Sequence, residues 1–339
     1  MTVSRKLNKP YHPPLTMNNT IIENVREHKH LGLILSDDGS WHKHIDMIVK
    51  KAFNRLNILR KFRYYLDRKT LEKLYISFIR PILEYGDIIW DNSTALLVHK
   101  LENVQLEAAR IVTGGTRLTS FTNLYKETGW EKLNSRRESH KAIFFHKMVN
   151  NVTPLYLSNL IPAQLRDVHS YNTRNSDVIP PIICRTSLYS NYFMPSTVRI
   201  WNSLPRQIQS NSSLYQIKQH FKSKSATIPA YYYFGTRNGQ VFHSRLRMQC
   251  SNLNQHLFLK NLVPSPNCSC GQVESNDHFL LKCPHYNEAR QRFINSLNIP
   301  MGITSSILLF GSDMLTLEEN KNVFISVQKY IIHSKRFQR

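Results

Sequence analysis

Lys69-Thr-Leu-Glu-Lys-Leu-Tyr-Ile-Ser-Phe-Ile-Arg-Pro-Ile-Leu-Glu-Tyr-Gly-Asp-Ile-Ile-Trp90 carries apolar residues at Leu71, Leu74, Tyr75, Phe78, Ile82, Tyr85 and Ile89. Steps of three and four residues put such positions on one helical face, so the stretch reads as a helix packed on a core. Pro81 has no N–H to give to the carbonyl of Ser77, which predicts a kink and not an unbroken rod.

The same periodicity extends on both sides. Residues 41–65 place Ile45, Ile48, Val49, Ala52, Leu56 and Leu59 on one face, with Lys43, Lys50 and Lys61 on another. Leu97, Leu101, Val104, Ala108 and Ile111 predict a third helix over 95–113, stopped by Gly114-Gly115. Further helices are expected over 130–151, 286–297 and 315–332. Ahead of them, His28 to Trp41 reads as a strand closing into a tight turn at Asp38-Gly39. The expected fold class is mainly α: a helical bundle, an irregular basic connector and a small zinc-stapled helical module at the carboxy terminus.

The chain has 339 residues, with 45 Lys and Arg against 23 Asp and Glu, a formal charge of +22. That excess points to a polyanion, nucleic acid before an anionic membrane, since no apolar run approaches 18 residues. Residues 178–273 contain no acid but hold Arg185, Arg199, Arg206, Lys218, Lys222, Lys224, Arg237, Arg245, Arg247 and Lys260. Twelve aromatic residues are interleaved with them, among them Tyr189, Tyr192, Tyr215 and Tyr231 to Phe234. Cations that follow phosphates and rings that stack on bases suit single strands or structured RNA. The plainer reading is an aromatic core under a solvated basic face. No hydrophobic stretch follows Arg5, Lys6 and Lys9, so residues 1–19 do not read as a secretory signal, and an intracellular protein is expected.

Cys268, Cys270, His278 and Cys283 stand in the order C-x-C-x7-H-x4-C. Three thiolates and an imidazole close a tetrahedral zinc shell with no position left for water, so the expected Zn2+ is structural. One residue between the first two cysteines is tighter than the usual spacing, which leaves His285 as an alternative ligand. Cys184 and Cys250 are isolated, and five cysteines so spaced do not form a disulfide framework.

Other chemistry finds no support. Asp37-Asp38 fits a turn better than a pair of metal-binding carboxylates, because residues 1–36 supply no third Asp. Thr113-Gly114-Gly115 lacks the Gly-Lys-Ser/Thr of a phosphate loop. His28, His30, His42 and His44 read as polar residues flanking a strand and a helix start.

Taken in order, His30-Leu31-Gly32-Leu33-Ile34-Leu35-Ser36, Trp41, His44-Ile45, Leu74-Tyr75, Arg80-Pro81-Ile82-Leu83-Glu84-Tyr85-Gly86 and Trp90 resemble the segment just after the palm in jockey-type non-LTR retrotransposon reverse transcriptases. Gln105-Leu106-Glu107-Ala108-Ala109-Arg110-Ile111 is similar to that family's third thumb-region helix. Arg174-Asn175, Trp201-Asn202-Ser203-Leu204-Pro205, Phe221-Lys222 and then Cys268 to Cys283 resemble its carboxy-terminal region. The resemblance covers residues 28–290, and the order of the pieces makes it specific. It implies a palm remnant over 1–40, a helical thumb-like domain over 41–165, a basic aromatic-rich connector over 166–264, and the zinc element with terminal helices over 265–339.

RNA and target DNA are the partners it implies, with a reverse transcriptase palm as a further one and no membrane. The implied location is nuclear, with a cytoplasmic ribonucleoprotein stage. The family's catalytic aspartates and apurinic-type endonuclease lie upstream of the resembling segment, so no catalytic residue is expected here. The 56 residues after Cys283 show no Pro-Asp and Glu-x-Lys arrangement of a restriction-like nuclease. Two further readings stay open: a thumb supplied in trans to a catalytic palm, and a decayed reading frame whose product is incidental.

Overall fold

In the computed structural model the kink expected at Pro81 is a π-helical turn. The Arg68–Leu74 helix widens into a π turn at Tyr75–Ile79 and resumes as Arg80–Glu84. A π turn absorbs one extra residue, and that extra residue resets which side chains face inward. Leu71, Tyr75, Ile79 and Leu83 are all fully buried, four residues apart. In a regular helix that spacing drifts by about 40° per step, so the widened turn is what keeps the four in line. Phe78, Tyr85 and Ile89, expected on the buried stripe, are instead exposed. The helix also ends earlier than expected, because Gly86 takes a left-handed conformation before the short Asp87–Trp90 helix.

The structure describes every residue except 7, 9, 10, 169–177, 212, 223–226, 298, 338 and 339, and leaves the side chains of 210 and 211 aside. The protein is mainly helical. Helices occupy His42–Phe62, Ala95–Thr113, Leu133–Val149, Asn287–Asn295 and Leu317–His333, close to the expected spans. Phe121–Thr128 adds one that the periodicity did not signal. The stretch expected as an irregular connector is more regular than its composition suggested, with helices at Phe193–Asn202, Leu214–Lys222 and Arg237–Arg247. The last helix starts on a capping box, Thr316 with Glu319. No helix among the described residues is long and apolar enough to cross a membrane.

Near the amino terminus, Glu27–His30 pairs antiparallel with Leu33–Ser36. The corner of this hairpin is Leu31-Gly32, both with positive φ, as a two-residue primed turn requires. Asp38-Gly39 is a second turn further on, where Asp38 accepts from the Ser40 N–H at 2.8 Å.

Two compact units divide the chain. The first comprises residues 1–53, 81–104 and 132–225; the second comprises 54–80, 105–131 and 226–339. In the first, Phe145, Met148, Val198, Trp201 and Ile217 form a buried cluster. Its basic helix Leu133–Val149 is largely neutralised: Asp91 takes Arg137 at 2.5 Å and Lys141 at 2.7 Å, and Glu84 takes Arg136. In the second unit, Tyr231, Tyr232, Leu246, Phe279, Leu280, Phe324 and Tyr330 belong to one core.

Candidate metal centre

The four metal-ligand candidates are built from two local structures. Residues 266–274 fold into a narrow loop: Asn267 bridges Val273, the Cys268 N–H donates to Gln272 O at 2.7 Å, and the Gly271 N–H donates to Cys268 O at 2.9 Å. Gly271 sits at the tip with φ +91°, in open space, so its backbone and not its surroundings demands glycine. The other two ligands flank a π turn at His278–Lys282, closed by the Cys283 N–H on His278 O at 2.7 Å. Phe279 and Leu280, between them, are fully buried in the second unit's core, and Tyr330 Oη donates to Phe279 O at 2.6 Å. The turn that carries two of the four candidate ligands is therefore anchored in that unit's core.

All four donor atoms lie within 4.8 Å of one another. Cys268 Sγ and Cys283 Sγ are 3.7 Å apart, and Cys270 Sγ lies 3.2 Å from His278 Nε2. With Zn–S about 2.3 Å and Zn–N about 2.0 Å, a tetrahedron has S–S and S–N edges of about 3.8 Å and 3.5 Å, so the set fits one ion after small shifts of the donors. His285, the alternative ligand, bonds instead with Ser269 Oγ at 2.9 Å. Burial pushes the Cys283 thiol up to about 11, and the nearby Cys268 adds to it. Thiols packed this closely ionise together only around a cation, which is what the donor set suits. Among the described residues no other group of three or more His, Cys, Asp or Glu converges in this way, the histidines around His28 and His44 included.

The cations expected to meet phosphates fall into separate classes. Lys50, Lys61, Arg185, Lys218, Lys222 and Lys260 are exposed. Arg206 is also exposed, Arg199 is exposed and donates to Ser190 O at 2.7 Å, and Lys43 pairs with Glu27. Lys224 lies outside the described residues, as do Arg174 and Asn175. Arg237 and Arg245 are half-buried and hold backbone carbonyls at the end of the Ala95–Thr113 helix.

Arg247 is a correction. It is buried and gives Glu127 two hydrogen bonds, from Nε at 2.9 Å and Nη2 at 2.5 Å, so this one charge of the acid-free segment is neutralised from 120 residues away. Arg68 Nη1 reaches the same carboxylate at 2.5 Å from the other side. Burial alone would raise the Glu127 carboxyl; Arg247 and then Arg68 outweigh it and hold it down to about 2. No local signal marked Arg68 or Glu127, because their partnership is made by three distant segments.

The aromatic residues of the acid-free segment follow the plainer reading in part. Trp201, Tyr231 and Tyr232 are buried; Phe193, Phe221, Phe234 and Phe242 pack on the cores; Tyr233 donates to Glu72 at 2.6 Å. Tyr189, Tyr192, Tyr215 and Phe258 remain exposed.

No family model matches the chain, and no solved structure matches it. A probable RNA-directed DNA polymerase from transposon BS of Drosophila melanogaster is 20% identical over 161 residues. That match covers 46% of this chain and 17% of the transposon protein. The similarity supports an origin related to transposon reverse transcriptases.

Proposed function

We propose that this chain is a nucleic-acid-binding region corresponding to the carboxy-terminal part of a jockey-type non-LTR retrotransposon reverse transcriptase. In this reading it grips RNA and target DNA and carries no polymerase aspartates of its own. The ordered resemblance carries the reading, and the similarity to a transposon RNA-directed DNA polymerase supports it. The net charge of +22 and the exposed Lys50, Lys61, Arg185, Lys218, Lys222 and Lys260 supply the phosphate contacts. Cys268, Cys270, His278 and Cys283 would hold a structural Zn2+, which ties the loop at 266–274 to the core turn at His278–Lys282.

The test is RNA binding measured across salt. Affinity should fall about 10^3-fold between 50 and 200 mM salt if many phosphates are contacted. A nearly flat salt response refutes the reading. A thumb acting in trans is separated from it by primer extension with and without an added catalytic palm, where stimulation of synthesis supports the trans role.

A further inference from the structure

Within the second unit, beside Gly114 and Gly115, a concavity of about 520 Å³ is lined by Arg60, Arg63, Arg110, Arg117, Arg237 and Arg245. Glu107 is the acid on its wall, shared by Arg110 at 2.6 Å and Arg60 at 3.3 Å. One negative charge thus faces six positive ones. Ordinary solvated surfaces intersperse both signs, and convex ones let like charges splay apart. Here the chain does neither.

Two of the six are fixed in place. Arg237 donates to Arg63 O, Val112 O and Ile111 O at 2.8, 2.7 and 2.7 Å, and Arg245 donates to Gly114 O at 2.8 Å. Their guanidinium groups are therefore preset before any ligand arrives, which lowers the ordering cost of binding. Burial, and then the charge of Arg68, lowers Arg237 to about 10, which leaves it protonated at neutral pH. Arg63 and Arg117 are exposed, and among the described residues neither side chain is bonded to a backbone carbonyl. Next to Arg63, Tyr64 is 65% exposed, with the Arg63 guanidinium 4.5 Å from its ring centre.

We propose that this arginine bowl is a preformed site for phosphate groups of single-stranded nucleic acid, with Tyr64 presenting its ring to an adjoining base. Guanidinium forks match phosphate oxygens in pairs, and a cation beside an exposed ring is the arrangement that holds unstacked bases. The concavity is larger than a lone phosphate needs. The proposal rests on the nucleic-acid reading above and gives it a seat that the sequence-based candidates, apart from Arg237 and Arg245, do not include.

Binding of a labelled oligouridylate to the full chain tests it. The double variant Arg63→Gln/Arg117→Gln should reduce the slope of log affinity against log salt by about 1.4, at about 0.7 per single-strand phosphate. The matching loss at 100 mM salt is on the order of 20-fold, with an unchanged melting curve. Arg63→Lys/Arg117→Lys should restore the slope, and Tyr64→Leu should weaken binding without altering it. If the wild type binds with a steep slope and the Gln variant keeps that slope, the bowl is refuted while the nucleic-acid reading stands. No binding by the wild type overturns both. Displacement of the oligonucleotide by poly-glutamate at equal charge shows an acidic-peptide site and overturns the phosphate assignment.

Discussion

Replacing Glu127 with Gln removes the charge between two buried guanidinium groups. Arg68 is fully buried, Arg247 is 8% exposed and Glu127 is 5% exposed, so solvent cannot take over the lost interaction. Each arginine keeps some neutral partners, Arg68 at Glu127 O and Ser244 and Arg247 at Ser244 and Leu309 O, and both lie near the Tyr232 ring. None of these carries a compensating charge. Breaking a buried ion pair from one side costs about 3–5 kcal/mol. The shift of the carboxyl from its ordinary 4.5 to about 2 gives an independent figure: at 1.36 kcal/mol per pH unit it corresponds to about 3 kcal/mol. The two agree.

The sign follows from the direction. A carboxyl depressed in the folded state contributes fully above about pH 4.5, and its contribution is lost as pH falls toward 2. Thermal and urea unfolding of Glu127→Gln at pH 7 should therefore show a loss of about 3–5 kcal/mol, on the order of 10 °C in melting temperature. The variant should also lack the wild type's fall in stability between pH 5 and 2 that comes from this group. A cost below about 1 kcal/mol at pH 7, or an acid profile matching the wild type's, would refute the reasoning.

Cys270→Ser should lower bound zinc, measured by elemental analysis, and chelation of the wild type should remove near-ultraviolet signal from the core around Phe279 and Tyr330, since the ligand loop flanks that core. An intact signal after complete zinc removal would contradict the stapling role. Gly114→Ala should destabilise by about 2 kcal/mol, because φ is +73° and an added Cβ would stand 2.6 Å from Val241. Unfolding within a few tenths of the wild type would show that Val241 gives way freely.

The helix ending at Thr113 shows why some of the fold was legible in the sequence. Its stripe of Leu97, Leu101, Val104 and Ala108 is a local pattern, and Gly114, at φ +73°, stops it by a local conformational rule. The clustering of Cys268, Cys270, His278 and Cys283 was legible for the same reason, because four donors within sixteen residues are close in the chain as well as in space. The turn at Asp38-Gly39 was legible because it carries the usual turn residues, whereas the hairpin corner before it gave no signal, because nothing about Leu31 marks it for φ +46°. Across the π turn the buried face was misassigned, since periodicity assumes a constant number of residues per turn.

By itself the sequence determined the helical class, the basic character and the cluster of three cysteines and a histidine, all of which rest on residue type and short spacing. Only the tertiary structure decided which cations are free. Arg247 and Lys218 look alike in an acid-free segment, yet Arg247 is buried on Glu127 and Lys218 is exposed. A charge is neutralised by whatever lies within a few ångströms, and chain distance says nothing about that. The arginine bowl arises in the same way: Arg60, Arg110 and Arg237 come from three separate stretches and share one concavity only after folding.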